Sequence, residues 1–155
     1  MAEKIRMGII GTGLAFERLH YPAYRELADR YQIAALCDVE REKARSWVER
    51  LGLGEEAVYT DYREMIHRAD PDAVDIMVPI PENFEVTEAV ARTWAGRPRK
   101  AVLCEKPLAP DLEQARAFLA LPERFGVPIM IAENYRFEEE INQIRGLVAA
   151  EKIGK

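Results

Sequence analysis

Short apolar runs alternate along the chain with stretches of helical periodicity, and this alternation narrows the fold more than any other feature. Ile5–Ile10, Gln32–Cys37, Ala57–Tyr59, Ala73–Val78, Lys100–Cys104 and Val127–Ala132 read as strands. They are nearly all apolar, as strands covered on both faces must be. Between them, Leu14–Arg30 reads as a helix with Leu19, Ala23 and Leu27 on one face, and Pro22 should kink or restart it. Glu40–Leu51 places Ala44, Trp47, Val48 and Leu51 at helical spacing. Asp61 with Glu64 forms a capping box for a helix presenting Tyr62, Met65, Ile66 and Ala69. Glu82–Ala95 packs through Val86, Ala89, Val90, Thr93 and Trp94, and Asp111 caps a helix reaching about Phe125. A last amphipathic helix from about Phe137 is expected to turn Ile141, Ile144 and Val148 inward and to stop near Gly154. Strand–helix alternation with short connections predicts an α/β fold, a doubly wound parallel sheet of about six strands with helices on both faces. The expected strand order is 3-2-1-4-5-6, with a ligand crevice beyond the carboxyl ends of strands 1 and 4.

The first strand stops at Gly11, Gly13 follows, and a helical pattern begins. Gly11 can make a tight turn, and Gly13 has no side chain to hold a pyrophosphate off the backbone. The free N–H groups and positive end of the next helix favour an anion there. In a doubly wound sheet this is a Rossmann dinucleotide turn, with Gly11, Thr12, Gly13, Leu14 and Ala15 under the pyrophosphate. Asp38 ends the second strand, 27 residues after Gly11. Its carboxylate can accept both hydroxyls of an adenosine ribose and would repel a 2′-phosphate, so NAD is the expected cofactor. Asp38 can also cap the helix that follows, and the two roles are compatible. Arg41 is near enough to tolerate a 2′-phosphate, which keeps NADP possible.

Composition excludes several other classes. A net charge of −5 gives no reason to expect a nucleic-acid or anionic-membrane partner. No apolar run is long enough to cross a bilayer, and Met1–Arg6 lacks the apolar core of a signal peptide, so a cytoplasmic protein is expected. Cys37 and Cys104 each end an apolar run and read as buried thiols rather than a disulfide. They lack metal-ligand spacing, and with only His20 and His67 beside them no metal site is expected.

Glu105-Lys106-Pro107 follows the fifth strand, where the crevice should open. A lysine beside a glutamate there suits holding a substrate hydroxyl or relaying a proton. A solvated Glu–Lys pair in a loop is the other reading of the same residues. The whole chain resembles the N-terminal half of the Gfo/Idh/MocA oxidoreductases. The resemblance is carried, in order, by Gly8-Ile9-Ile10-Gly11-Thr12-Gly13, His20 with Pro22-Ala23, Cys37-Asp38, Pro79-Ile80-Pro81, and Ala95-Gly96. It continues through Val102-Leu103-Cys104-Glu105-Lys106-Pro107-Leu108 and Glu133-Asn134-Tyr135-Arg136-Phe137. It implies NAD(P)-dependent hydride transfer at a carbinol carbon of a sugar, cyclitol or related polyol-like substrate. It implies further that Lys106 contacts the substrate, that Glu105 lies by the nicotinamide, and that Pro79 and Asn134 border the cofactor pocket.

Four departures from the family pattern stand out. Phe16 occupies the third, usually small, glycine position, where close helix–strand packing is expected to change. Asn83-Phe84-Glu85 stands where a histidine is usual, and Arg97-Pro98-Arg99 reads as a small insertion. His20 matches a common family position, but a helical histidine near a turn reads as packing. Family members also continue into a second domain that carries the substrate pocket and most of a dimer contact. The expected division is therefore a dinucleotide-binding domain over 1–134 and a linker helix over 135–155, catalytically incomplete alone. A homo-oligomer is expected of the longer protein. For the chain itself the expectation is association, or a mobile tail, through the exposed face of that helix. A non-enzymatic dinucleotide-sensing or partner-binding module is the alternative that fold alone leaves open.

Overall fold

A computed structural model describes residues 3–154. The chain forms a parallel sheet of six strands in the order β3-β2-β1-β4-β5-β6, as the alternation predicts. The strands are β1 (Ile5–Ile10), β2 (Tyr31–Cys37), β3 (Val58–Tyr59), β4 (Ala73–Ile76), β5 (Ala101–Cys104) and β6 (Ile129–Ile131). Helices α1 (Tyr21–Glu26) and α2 (Arg41–Arg50) lie in the connections after β1 and β2. Helices α3 (Tyr62–Arg68), α4 (Ile80–Trp94), α5 (Leu112–Leu119) and α6 (Leu121–Phe125) follow β3, β4 and β5, and α7 (Glu139–Ala149) comes last. The sheet separates two apolar layers. One joins Met7, Ile9 and Leu36 to Phe16, Ala44, Trp47 and Val48 of the first two helical connections. The other joins Val74, Ile76, Val102 and Cys104 to Met65, Ile66, Val90, Trp94, Phe118 and Leu121. No helix among the described residues is long and apolar enough to cross a membrane.

The first helical connection departs from its predicted face. Leu19, Leu27 and Ala23 are exposed, and Phe16, His20 and Tyr24 turn inward instead. Leu14–Ala15 is α-helical, but Phe16–His20 forms a π turn in which the Tyr21 N–H donates to the Phe16 carbonyl. Pro22 then stands in the first turn of α1, where its missing N–H costs nothing. The wide turn leaves Phe16 and Tyr21 on one side, with Trp47 between helices: the Phe16–Trp47 and Tyr21–Trp47 ring centroids are each 4.8 Å apart. Phe16 is therefore a core residue, and its ring fills the space that a small residue would leave to close helix–strand contact.

Proline also divides the predicted helix after Asp111. The Asp111 carboxylate accepts the Gln114 N–H at 2.8 Å, but the helix is interrupted at Ala120 and restarts with Pro122 in its first turn. Asp61 caps α3 through the Arg63 N–H, while Glu64 pairs with Arg68 instead of closing the predicted box. Both cysteines are buried free thiols, pushed up by burial to about 12 for Cys37 and about 11 for Cys104. The α7 helix has no buried residue, so Ile144 and Val148, predicted to face inward, are half exposed. No second apolar layer lies over them among the described residues, and helical periodicity alone cannot supply one. On the α1 side the sheet is covered only as far as β1. Beyond it, Ala73, Ala101, Leu103 and Met130 line an open cavity of about 870 Å³.

Candidate functional site

The site is assembled from the carboxyl ends of the strands. After β1 the chain reaches Gly11 at φ +92°, where a Cβ would stand 2.3 Å from the Met77 carbonyl oxygen beyond β4. Only glycine lets these two strand ends approach so closely. A Cβ on Gly13 meets no atom within 4 Å, so it would project into open space at the head of the helix. The N–H groups of Gly13, Leu14 and Ala15 open that helix and have no carbonyl one turn behind them to reach. Leu14 is exposed and Ala15 partly so, which leaves this backbone accessible. These residues fit a pyrophosphate.

Thr12 plays a different part. It is buried, and both its N–H and its hydroxyl donate to one oxygen of Asp38 at 2.9 Å. The other oxygen accepts the Glu40 N–H at 3.0 Å. Asp38 thus leads into α2, whose capping position is Glu40, and is pinned to the glycine turn by Thr12. Its half-exposed carboxylate keeps lone pairs for a ribose. Arg41 is engaged elsewhere, pairing with Glu55 at 2.7 Å.

Across the crevice, the backbone after β5 is held from two sides. The Glu105 N–H donates to the Ile76 carbonyl at 2.8 Å. The Asn83 carboxamide, buried in the first turn of α4, donates to the Glu105 carbonyl at 3.3 Å and the Pro107 carbonyl at 3.2 Å. Asn83 opens the Asn83-Phe84-Glu85 stretch, and here it holds this loop. Lys106 lies between these anchors and is exposed. The Glu105 carboxylate turns inward, accepting from His20 Nε2 at 2.6 Å, while His20 Nδ1 bonds Asp75 at 2.7 Å and the Tyr24 hydroxyl donates to the same Asp75 oxygen at 2.9 Å. Burial pushes the His20 imidazole down, but the hydrogen bonds and charges of Asp75 and Glu105 outweigh it, and the net result is a rise to about 9. Tyr24 is raised well above its ordinary value by burial and by Asp75.

The glycine turn, Asp38 and Pro79 are thereby brought together: Pro79 opens α4 just beyond β4, the neighbour of β1. Asn134 is not. It lies in a 3-10 turn after β6, three strands from β1, with its amide on Glu138 at 3.3 Å. Sequence reasoning missed Asp75, Tyr24 and Asn83. An aspartate inside an otherwise apolar strand was the available signal for Asp75.

The model of an oxidoreductase family with an NAD-binding Rossmann fold matches residues 5–133. D-apiose dehydrogenase of Paraburkholderia graminis is 34% identical over 142 residues, covering 92% of this chain and 36% of that protein. Inositol 2-dehydrogenase of Corynebacterium glutamicum is 29% identical over 157 residues, covering 100% of this chain and 44% of that protein. The crystal structure of an oxidoreductase from Thermotoga maritima superposes with a TM-score of 0.85 at 30% identity, over 99% of this chain and 45% of that one. The chain thus spans well under half the length of these relatives. With a family model matched over residues 5–133 and a six-stranded parallel sheet in the order β3-β2-β1-β4-β5-β6, the chain belongs to the Gfo/Idh/MocA oxidoreductases, as their NAD-binding Rossmann domain.

Proposed function

We propose that this domain serves an NAD-dependent dehydrogenase acting on a CH–OH group of a sugar, cyclitol or related polyol. The observation that carries the reading is the pairing of the two halves of the crevice. A carboxylate placed to read a ribose is tied to the glycine turn after β1, and an exposed lysine follows β5, two strands along the same edge. The apiose and inositol dehydrogenases among the relatives support the substrate class. Bound NAD supplies a hydride acceptor at its nicotinamide. The chain's own part is to hold the pyrophosphate on the N–H groups of Gly13, Leu14 and Ala15 and the ribose on Asp38. Lys106 contacts the substrate hydroxyl and relays its proton. Residues 135–155 are proposed as the arm leading to a substrate-binding and oligomer-forming part.

Asp38 sets the preference for NAD over NADP, since its carboxylate repels a 2′-phosphate and Arg41 is occupied by Glu55. In calorimetric titrations, Asp38→Ser should narrow an NAD preference of about tenfold or more to near parity. A wild type that binds NADP more tightly would refute this assignment. The 155-residue chain is also expected to show no appreciable turnover on polyols or sugars with NAD. Robust activity in a spectrophotometric NADH assay would overturn the proposal that catalysis needs residues beyond this domain.

A further inference from the structure

We propose that His20 is the positioning residue of the Lys106 loop, a cationic clamp that ties the helix after the glycine turn to the strand end carrying the substrate lysine. The inference rests on the reading of Lys106 given above. Both nitrogens of His20 face carboxylates, Asp75 at 2.7 Å and Glu105 at 2.6 Å. A neutral ring would turn a lone pair toward one of them, whereas a ring that donates from both nitrogens satisfies both carboxylates at once. One carboxylate lies on β4 and the other just past β5, 55 and 85 residues away in sequence. Asp75 is fully buried, and its second oxygen has no hydrogen-bond partner among the described residues. A carboxylate so placed is expensive unless a cation offsets it, and His20 is the cation that touches it. The π turn at Phe16–His20 belongs to the same device: it sends Tyr21 toward Trp47 and His20 toward Asp75 from adjacent positions. Such turns recur at functional sites. Asn83 holds the loop backbone from the opposite layer, so Glu105–Pro107 is gripped from both faces of the sheet.

The groups facing His20 are Asp75 from β4, Glu105 from the end of β5 and Tyr24 from its own helix, with Cys104 adjoining both carboxylates. Tyr24 and Cys104 are both raised, Cys104 to about 11, so neither changes charge before His20 does near 9. The clamp should be closed at neutral pH and open as pH rises through about 9.

The test uses the 155-residue chain, wild type and His20→Gln, by NMR. In His20→Gln the Lys106 backbone order parameter should fall from about 0.85 to below about 0.6. The Glu105 amide should exchange about tenfold faster while amides of β1 keep their protection. In the wild type the same loosening should follow the imidazole titration with a midpoint near 9. An ordered loop in a folded His20→Gln, or acceleration spread evenly over the sheet, would overturn the clamp. If the variant does not fold, the wild-type titration decides: a loop that stays ordered after the imidazole has titrated refutes the proposal. NAD affinity, read by calorimetry, should differ less than about threefold between the two proteins. A wild type that fails to bind NAD would sink the functional reading while leaving the loop measurements to judge the clamp.

Discussion

Gly13→Val should weaken NAD binding about a hundredfold and leave the fold intact, whereas Gly11→Ala should strongly destabilise the fold itself. A Cβ on Gly13 meets no protein atom, so the substitution is expected to change stability by less than about 1 kcal/mol. The branched side chain would instead stand where a pyrophosphate must approach. Losing one or two charge-assisted hydrogen bonds to phosphate costs about 3 kcal/mol, or roughly a hundredfold in affinity. At Gly11 the situation is reversed. The residue sits at φ +92°, and a Cβ would lie 2.3 Å from the Met77 carbonyl oxygen. Backbone strain and the forced separation of β1 from β4 together cost about 3–5 kcal/mol, much of a typical domain's stability. Urea denaturation and calorimetry on both variants separate the two effects. Unchanged NAD affinity in Gly13→Val would remove the pyrophosphate from this turn.

Asp75→Ala should cost about 3 kcal/mol, because it leaves the buried side of His20 and the Tyr24 hydroxyl without their acceptor. Asp75→Asn keeps an acceptor oxygen and should cost less. The pH dependence gives the sharper test. His20 is raised from 6.5 to about 9 in the fold, so its contribution is complete below pH 6.5 and is lost as pH rises through about 9. With solvent screening allowed for, that contribution is of order 1–2 kcal/mol. Wild-type stability should therefore decline from pH 6.5 to 9.5, and its margin over Asp75→Asn should narrow across the same window. A margin independent of pH would show that His20 is not charged in the fold.

Local pattern carried most of the architecture. Each strand is a short apolar run bounded by turn residues, and Asp61 and Asp111 mark helix starts by capping chemistry that acts over three residues. The glycine turn was legible for the same reason, since Gly11, Thr12 and Gly13 are contiguous and their backbone demands are local. Asp38 was marked out by its place at the end of the second strand. The face of the first helix was not. Leu19, Ala23 and Leu27 have the spacing of a buried stripe, yet the inward positions went to Phe16, His20 and Tyr24. What decides between them is which partners the rest of the fold supplies, and those are Trp47 of α2, Asp75 of β4 and Glu105 after β5. Likewise α7 has an apolar face in its sequence that nothing in the described structure buries.

By itself, then, the sequence determined the strand–helix alternation and the tight glycine turn after the first strand, because each depends on neighbours within a turn or two of chain. Only the tertiary structure decided that Thr12 serves Asp38, that Asn83 grips the Glu105–Pro107 backbone, and that His20 joins two carboxylates. Those contacts span 26, 22 to 24, and 55 to 85 residues respectively, and they exist only once a parallel sheet has brought the ends of β1, β2, β4 and β5 to one edge. Hydrogen bonds and charges act over a few ångströms, so their partners are set by strand order and helix phase rather than by position along the chain.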